Sequence, residues 1–195
     1  MTSLKDIEDY YNSRSGNAQK LLLRHNSRIR SIKRFIRKNV KGKGYNTALD
    51  IGCGTGITSE TLDRYVGSVV AIDLAGEIIN LAKAYHGKFN RSNVLYIVGD
   101  FTINHLGKFD LVCAFDVIEH IQECDRAAFI TNMHNHCIWK ALVSVPIPGR
   151  TAYYRKHKPD VLQIIDEEIY DYHFSEWTIV SKKITKHYIY YVLRP

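Results

Sequence analysis

The sequence has little of what marks a disulfide-bonded, zinc-binding or membrane-spanning protein. Its 195 residues include only four cysteines. These form no C-x-x-C pair and none of the spacings of a zinc finger; they are Cys53, Cys113, Cys124 and Cys137. No apolar run reaches the roughly 18–20 residues of a membrane-spanning helix, and the amino terminus lacks the apolar stretch of a signal peptide. We therefore expect free thiols, no membrane span and a cytoplasmic location.

The positive charge is concentrated at the amino-terminal end of the chain. The sequence carries 27 lysines and arginines against 20 acidic residues, a net charge of +7. Residues 1–44 hold 12 of these basic and 3 of these acidic residues, so their net charge is +9, and residues 45–195 have −2. We predict a single domain over residues 1–195, in which a basic helical segment (1–44) precedes the core (45–195).

A long helix is predicted within the basic segment, from about residue 17 to residue 40. Apolar side chains recur there at the three- and four-residue spacing of one helix face: Ile29, Ile32, Ile36 and Val40. Most other positions are lysine or arginine, which is typical of a solvated outer face. The alternative is attraction to an anionic substrate or to RNA phosphates. Few aromatic side chains are interleaved with the basic ones, and this favours the solvated face.

The most informative stretch is Ala48-Leu-Asp-Ile-Gly-Cys-Gly-Thr-Gly56. An apolar run that indicates a buried strand leads into three alternating glycines, and a predicted helix starts at Ile57. Glycine permits unusual backbone angles and lets a ligand lie against the main chain. The helix start adds free N–H groups and a positive dipole end. The stretch therefore predicts a nucleotide-cofactor site at the carboxyl end of a parallel sheet.

The residues around this turn do not fit a dinucleotide cofactor. The G-x-G-x-x-G fingerprint would place its third glycine at position 57, where this chain has isoleucine. Three successive predicted strands instead carry a carboxylate at their ends: Asp50, Asp73 and Asp100. An acid at the second of these strand ends can accept hydrogen bonds from both hydroxyls of a ribose. Each Asp could alternatively cap the helix that follows, but three in register favour a shared ligand.

The order of the predicted elements is typical of an α/β protein. Strands are predicted at about 45–51, 67–73, 93–99, 109–115 and 138–145, with helices at about 57–66, 75–85 and 123–137 between them. A helix near 166–172 and two strands at about 176–184 and 187–194 follow. Strands that alternate with helices predict a parallel sheet.

The D-x-G-x-G-x-G pattern of residues 50–56 resembles motif I of the class I S-adenosylmethionine (AdoMet) dependent methyltransferases. Residues 109–115 are similar to their motif IV, and the resemblance extends over roughly residues 45–194. It implies a Rossmann-like, doubly wound, mostly parallel seven-stranded sheet with helices on both faces and a closing antiparallel hairpin. It also implies AdoMet as the cofactor.

By this resemblance, AdoMet lies against the glycine turn and the strand ends. Asp73 would bind the ribose, Asp100 the adenine amino group, and Phe101 would pack on the adenine ring. Residues 3–14 would fold over the cofactor, with Tyr11 and Arg14 as candidates for contact with its carboxylate; plain surface packing of this segment is the alternative. The full set of expected cofactor contacts is Asp50, Gly52, Cys53, Gly54, Gly56, Thr58, Asp73, Leu74, Asp100, Phe101, Phe115, Tyr11 and Arg14.

The chemistry is expected in Phe115-Asp-Val-Ile-Glu-His-Ile121, directly after the fourth strand. AdoMet carries its own leaving group, so the protein mainly has to align the acceptor atom, the methyl group and the sulfur. If the acceptor is a hydroxyl, a base helps, and His120 is the candidate because its unperturbed pKa lies near neutrality. Asp116 and Glu119 complete the candidate catalytic set in this segment.

The spacing Asp116-x-x-Glu119-His120 also permits a metal hypothesis. It is similar to the E-x-x-E-H of the ubiquinone-pathway O-methyltransferases and of the small-RNA terminal 2′-O-methyltransferases, in which these side chains ligate a divalent ion. His157 is the candidate for the fourth ligand. A Mg²⁺-like ion would bind the acceptor oxygen and lower its pKa. In other small methyltransferases a similar V-I-E-H-I segment merely shapes the pocket.

The predicted activity is transfer of a methyl group to an oxygen, or else a nitrogen, of a small-molecule or glycan-type acceptor. The segment 144–167 is expected to line the acceptor site. Two alternatives stay open. One is a metal-dependent RNA ribose 2′-O-methyltransferase, and the other is a catalytically silent AdoMet-binding subunit that supports a partner.

Overall fold

The computed structural model describes residues 27–87, 93–148 and 167–195, together with residues 5, 8, 9, 12 and 13. In chain order its helices and strands are α1 (Ser27–Val40), β1 (Thr47–Ile51), α2 (Ile57–Asp63), β2 (Ser68–Asp73), α3 (Gly76–Gly87), β3 (Val94–Val98), β4 (Phe109–Phe115), a 3₁₀ turn (Ile118–His120), α4 (Glu123–His136), β5 (Cys137–Pro146), α5 (Glu167–His173), β6 (Thr178–Ile184) and β7 (Tyr188–Arg194). From β1 onwards, the predicted bounds agree with these to within about three residues.

The seven strands form one sheet in the order β3-β2-β1-β4-β5-β7-β6. Strands β1 to β5 pair in parallel, and β7 lies antiparallel between β5 and β6. This confirms the predicted mostly parallel sheet with a closing hairpin. The strand order reverses beside β1, which has β2 on one side and β4 on the other. Ligands of such sheets bind at this switch point, outside the carboxyl ends of the strands.

Helix α1 packs its apolar face on one side of the sheet. The buried residues Ile32, Ile36 and Val40 follow four-residue spacing, as predicted. They share a core cluster with Leu111 of β4 and Leu142 of β5. Burial of each such side chain stabilises the fold by about 1.5–3 kcal/mol. The exposed basic side chains Arg30, Arg34, Arg37 and Lys38 therefore lie on the outer face of α1, whereas Arg28 is half-buried.

The opposite side of the sheet is covered by α4 and α5. Phe129 and Met133 of α4 and Tyr170 of α5 are buried in one cluster with Val112 of β4. Helices thus lie on both faces of the sheet, as the resemblance implied.

All four cysteines are free thiols, as expected, with Cys124 exposed and the other three buried. Across the described residues, no helix combines the length and the apolar character that crossing a bilayer requires.

Candidate active site

The loop after β1 is built on three glycines with left-handed backbone angles. The φ angles of Gly52, Gly54 and Gly56 are 64°, 52° and 76°, in a region that other residues rarely adopt. The amides of Gly52 and Cys53 donate to the carbonyl of Ile72 at 2.8 and 3.1 Å. These two bonds fix the start of the loop to the carboxyl end of β2.

The three glycines differ in what surrounds them. A Cβ added to Gly52 would overlap with Val117 Cγ2, and one added to Gly56 would overlap with the Tyr96 hydroxyl. A Cβ on Gly54 would have no heavy atom within 4 Å. Gly52 and Gly56 are therefore required by packing, whereas Gly54 leaves an open side on which a ligand can lie against the main chain. The contact of AdoMet with this open side stays a prediction.

Asp73 holds the loop from the end of β2. Its Oδ2 accepts a hydrogen bond from the Gly54 amide at 2.8 Å, and its Oδ1 accepts one from the Ala75 amide at 3.0 Å. Asp100 likewise accepts a bond from the Thr102 amide at 2.8 Å. The expected alternative, in which these acids cap the following turn, is thus realised. A carboxylate offers about four acceptor positions, so the caps leave room for ribose hydroxyls on Asp73.

Asp50 fastens the end of β1 to the start of α2. Its Oδ2 accepts hydrogen bonds from the hydroxyls of Thr58 and Ser59, both at 2.6 Å. The residue is only 1% exposed, and burial raises the pKa of its carboxyl to about 6, despite the opposing effect of the two hydroxyls. The charge of Asp73 adds to this rise. Asp50 therefore changes protonation near pH 6 while it holds the helix start.

Two of the predicted aromatic contacts point into the core. The ring of Phe101 packs edge-on against Phe129 and His136, with ring centroids at 5.4 and 5.3 Å. Phe115 packs edge-on against Phe35 of α1 at 6.4 Å. Both are buried, because they belong to the clusters on the two faces of the sheet. The contact of either ring with AdoMet stays a prediction.

Cys53 and Leu74 lie at the rim of the glycine loop. Cys53 is buried in a small cluster with Tyr96, and burial raises the pKa of its thiol well above the usual range. Leu74 follows Asp73 and is half-buried. Cys53 therefore acts as a neutral packing residue whose amide, rather than its thiol, shapes the loop.

Asp116, the first residue after β4, is held by both neighbouring elements. In the described part of the chain it is the only non-glycine residue with a left-handed angle, φ 57°. The Ser144 hydroxyl donates to its Oδ1 at 2.7 Å, and the Asp116 amide donates to the Ser144 carbonyl at 2.9 Å. Its Oδ2 pairs with the Arg28 guanidinium of α1 at 2.5 Å. Both carboxylate oxygens are therefore engaged by β5 and α1.

The glycine loop and the candidate catalytic segment touch at the switch point. Val117 lies so close to Gly52 that no Cβ fits between them. The 3₁₀ turn that follows ends at His120, which is half-buried and whose amide donates to the Val117 carbonyl at 2.9 Å. The structure thus brings Asp116, Glu119 and His120 next to the glycine loop.

Glu119 lies in a buried polar group beneath this turn. It is 3% exposed, and burial, followed by the charge of Asp116, raises its pKa well above the usual range, which favours the neutral acid. Among the described residues, neither its Oε2 nor the buried hydroxyl of Tyr170 has a hydrogen-bond partner. Burial and the nearby Glu119 also raise the pKa of Tyr170. Arg126 joins this group and donates to the Ile121 carbonyl at 3.2 Å.

The predicted metal ligands do not form a metal centre in the described structure. No group of three or more His, Cys, Asp and Glu side chains in the described ranges is arranged to hold an ion. The Arg28 guanidinium forms an ion pair with the Asp116 carboxylate, and burial favours the neutral form of Glu119. Mg²⁺, by contrast, prefers ionised carboxylates. The fourth candidate, His157, lies outside the described residues. The donor set present therefore does not fit the metal hypothesis.

The amino-terminal segment reaches the cofactor side of the sheet. The side-chain oxygen of Asn12 accepts a hydrogen bond from the Glu77 amide, in the first turn of α3, at 3.1 Å. That helix starts directly after the Asp73 loop. The candidates Tyr11 and Arg14 lie outside the described residues, so their contact with the AdoMet carboxylate stays a prediction.

Sequence reasoning missed two residues that shape the site, Arg28 and Tyr170, and it placed Ser144 only as the first residue of the expected acceptor wall. Arg28 is one of many basic residues in its helix, so nothing local distinguishes it. A local feature of the sequence does mark Ser144, because it is a polar residue within the apolar run of β5. No such feature marks Tyr170, because an aromatic residue in a short helix is typical of core packing.

The Arg28–Asp116 pair gives a prediction about stability. Arg28→Gln should lower the free energy of unfolding by about 1–3 kcal/mol, because it leaves a buried carboxylate without its charged partner. Asp116→Asn keeps a residue that tolerates the left-handed angle and removes the charge. The double variant should therefore lose less than the sum of the two single variants in urea unfolding. Additive losses would mean that the pair contributes nothing.

Comparison with known proteins agrees with this geometry. Residues 48–138 match the family model of a methyltransferase domain. A ubiquinone biosynthesis O-methyltransferase of Pelagibacter ubique is 34% identical over 105 residues, which are 50% of this chain and 43% of that protein. A magnesium-protoporphyrin O-methyltransferase of Rhodobacter capsulatus is 35% identical over 85 residues, 44% of this chain and 38% of that protein. The matched segments thus span less than half the length of these relatives.

Solved structures extend the likeness of the fold to nearly the whole chain. Magnesium protoporphyrin IX methyltransferase from Synechocystis PCC 6803, with bound S-adenosylhomocysteine (SAH), has a TM-score of 0.80 at 14% identity and covers 98% of this chain and 99% of its own. The N-methyltransferase NodS from Bradyrhizobium japonicum, also with SAH, has a TM-score of 0.78 at 16% identity, covering 96% and 97%. Residues 48–138 thus match a methyltransferase domain, and the chain has the Rossmann-like fold of the class I AdoMet-dependent methyltransferases.

Proposed function

We propose that this protein transfers the methyl group of AdoMet to an oxygen atom of a small-molecule acceptor. The observation that carries the proposal is the contact between Gly52 and Val117, since it joins the cofactor loop to the candidate catalytic segment at the switch point of the sheet. The choice of oxygen is supported by the two relatives, whose names are those of O-methyltransferases.

The chain's own residues would divide the work between binding and alignment. The open face of Gly54 and the carboxylate of Asp73 would hold AdoMet, which supplies an electrophilic methyl group on a positively charged sulfur and leaves as neutral SAH. His120 would take the proton of the acceptor hydroxyl as its oxygen bonds to the methyl carbon. Asp116, fixed by Arg28 and Ser144, would keep this segment in place, and alignment supplies much of the rate.

The test is turnover of AdoMet to SAH with a panel of acceptors. Phenols, magnesium protoporphyrin, sugars, amines and short RNAs would be compared, and we expect turnover with an oxygen acceptor among the small molecules. His120→Ala should lower kcat by about 10²–10⁴-fold with unchanged AdoMet affinity, because His120 lies outside the cofactor loop. An unchanged kcat would remove His120 as the base. AdoMet binding without turnover of any acceptor would instead favour a silent subunit.

A second arm of the same assay tests the metal. We expect EDTA to leave turnover unchanged, because Arg28 occupies the Asp116 carboxylate and burial favours neutral Glu119. Turnover that EDTA abolishes and Mg²⁺ restores would contradict this expectation. It would reinstate Asp116, Glu119, His120 and His157 as ligands.

A further inference from the structure

A second concave surface lies at the end of the sheet opposite to the glycine loop. This groove, of about 520 Å³, is lined by Tyr45, Ile138, Trp139, Lys140, Arg194 and Pro195. Tyr45 precedes β1, and the β5 residues come from the first part of that strand. The cofactor loop, by contrast, follows the last residue of β1. The groove is therefore separate from the site described above.

The groove combines an exposed aromatic face with cations. Trp139 is 62% exposed, although tryptophan is highly buried on average, and the other tryptophan of the chain, Trp177, is 5% exposed. The Lys140 ammonium lies 5.5 Å from the centroid of the Tyr45 ring, within the range of a cation–π contact. Arg194 adds a second cation to the lining.

The basic face of α1 leads into this groove. Residues 27–44 contain eight lysines and arginines and no acidic residue. The run ends with the exposed Lys41 and Lys43, and Lys43 is two residues from Tyr45, so the chain cannot separate them by more than about 7 Å. The exposed Lys43 therefore lies beside the groove, and Lys41 lies two residues further along the chain.

One acidic side chain, Asp110, lies beside this surface and is engaged by the main chain. The Oδ2 atom of Asp110 accepts hydrogen bonds from the amides of Asn46 and Thr47, at 2.7 and 3.1 Å. These backbone donors stabilise the Asp110 carboxylate at the start of β1. The four cations Lys41, Lys43, Lys140 and Arg194 outnumber this one carboxylate, so the side-chain charge of the surface is positive.

We propose that this surface binds single-stranded nucleic acid, with a base stacked on Trp139 and the phosphates along Lys140, Arg194, Lys43 and Lys41. A cationic groove with an exposed aromatic platform is the arrangement by which proteins bind single strands without sequence preference. A flat bilayer would leave the walls of a groove unfilled, and a duplex hides its bases from stacking. The partner is therefore a flexible polyanion with accessible aromatic bases.

The test uses a 12-nucleotide oligothymidylate, with binding followed by anisotropy and by quenching of tryptophan fluorescence. We expect the affinity to fall steeply as the salt concentration rises, because each phosphate contact releases counterions from the nucleic acid. Trp139→Ala should weaken binding by about 5- to 150-fold, the range that alanine substitution of a stacking residue covers. Lys41→Glu with Lys43→Glu should weaken binding further and make the salt dependence shallower.

A matched control keeps the total charge of the variants equal. Lys83→Glu with Lys183→Glu changes two exposed lysines on α3 and β6, away from the groove, and should retain most of the affinity. AdoMet binding should be unchanged in all variants. Any of three results overturns the proposal. The Trp139→Ala variant binds the oligonucleotide as tightly as the unaltered protein does, or the control pair loses as much affinity for it as the Lys41→Glu, Lys43→Glu pair. The third is that the fluorescence of Trp139 responds to phosphatidylglycerol vesicles and not to the oligonucleotide.

Discussion

Replacing Gly54 by alanine is expected to weaken AdoMet binding strongly at a moderate cost in the stability of the fold. The left-handed angle of Gly54, φ 52°, costs an alanine about 1–2 kcal/mol, and no atom within 4 Å would clash with its Cβ. The added methyl group would project from the open side of the loop, where the cofactor has to approach the main chain. We therefore expect a loss of about 100-fold or more in affinity, which corresponds to about 2.7 kcal/mol of binding free energy.

Gly52→Ala is the matched control for this variant. Its backbone angle, φ 64°, is similar, but its Cβ would overlap with Val117. Overpacking of this kind costs typically 1–3 kcal/mol in addition to the backbone term. Gly52→Ala should therefore lower the melting temperature clearly more than Gly54→Ala does. Adding Val117→Ala should restore the part of the loss that comes from the overlap.

Calorimetric titration with AdoMet and thermal unfolding of the three variants would measure both effects. If Gly54→Ala binds AdoMet like the unaltered protein, the cofactor does not lie on the open side of the loop. If Gly52→Ala and Gly54→Ala unfold at the same temperature, the contact with Val117 does not limit position 52. The two glycines then have no separate roles.

The parts of the site that could be predicted are those that a short stretch of sequence specifies. The glycine loop and the ends of β1, β2 and β3 could be placed to within a few residues, because an apolar strand followed by Gly or Asp is a short-range signal. The same acids, Asp73 and Asp100, cap the following turn, and their remaining acceptor positions leave the predicted contact with a ligand open to test.

The contacts that complete the site are tertiary and left little trace in the sequence. Arg28 and Asp116 are far apart in the chain, and any of several arginines in α1 had the same local pattern. The face of Phe115 could not be assigned either, because β4 is buried on both sides. Strands of this kind lack the polar alternation that tells one face from the other.

Asp50 is expected to make the protein less stable as the pH rises from about 4 to about 6. Its pKa is raised from 3.8 to about 6 by burial, so in this interval the folded state holds a proton that the unfolded state has lost. Stability falls with pH wherever the folded state binds more protons. A shift of about 2 units at 1.36 kcal/mol per unit gives a loss of about 3 kcal/mol, complete above about pH 6.

Asp50→Asn isolates this contribution. The amide oxygen can still accept from the hydroxyls of Thr58 and Ser59, but the side chain no longer titrates. Burial also raises the pKa of Asp73, so both proteins should lose some stability in this pH range. The difference between their free energies of unfolding, measured by urea at pH 4, 5, 6 and 7, should grow by about 3 kcal/mol in favour of Asp50→Asn. Parallel curves would mean that Asp50 is ionised in the folded protein at pH 4, and that its two hydroxyl partners outweigh its burial.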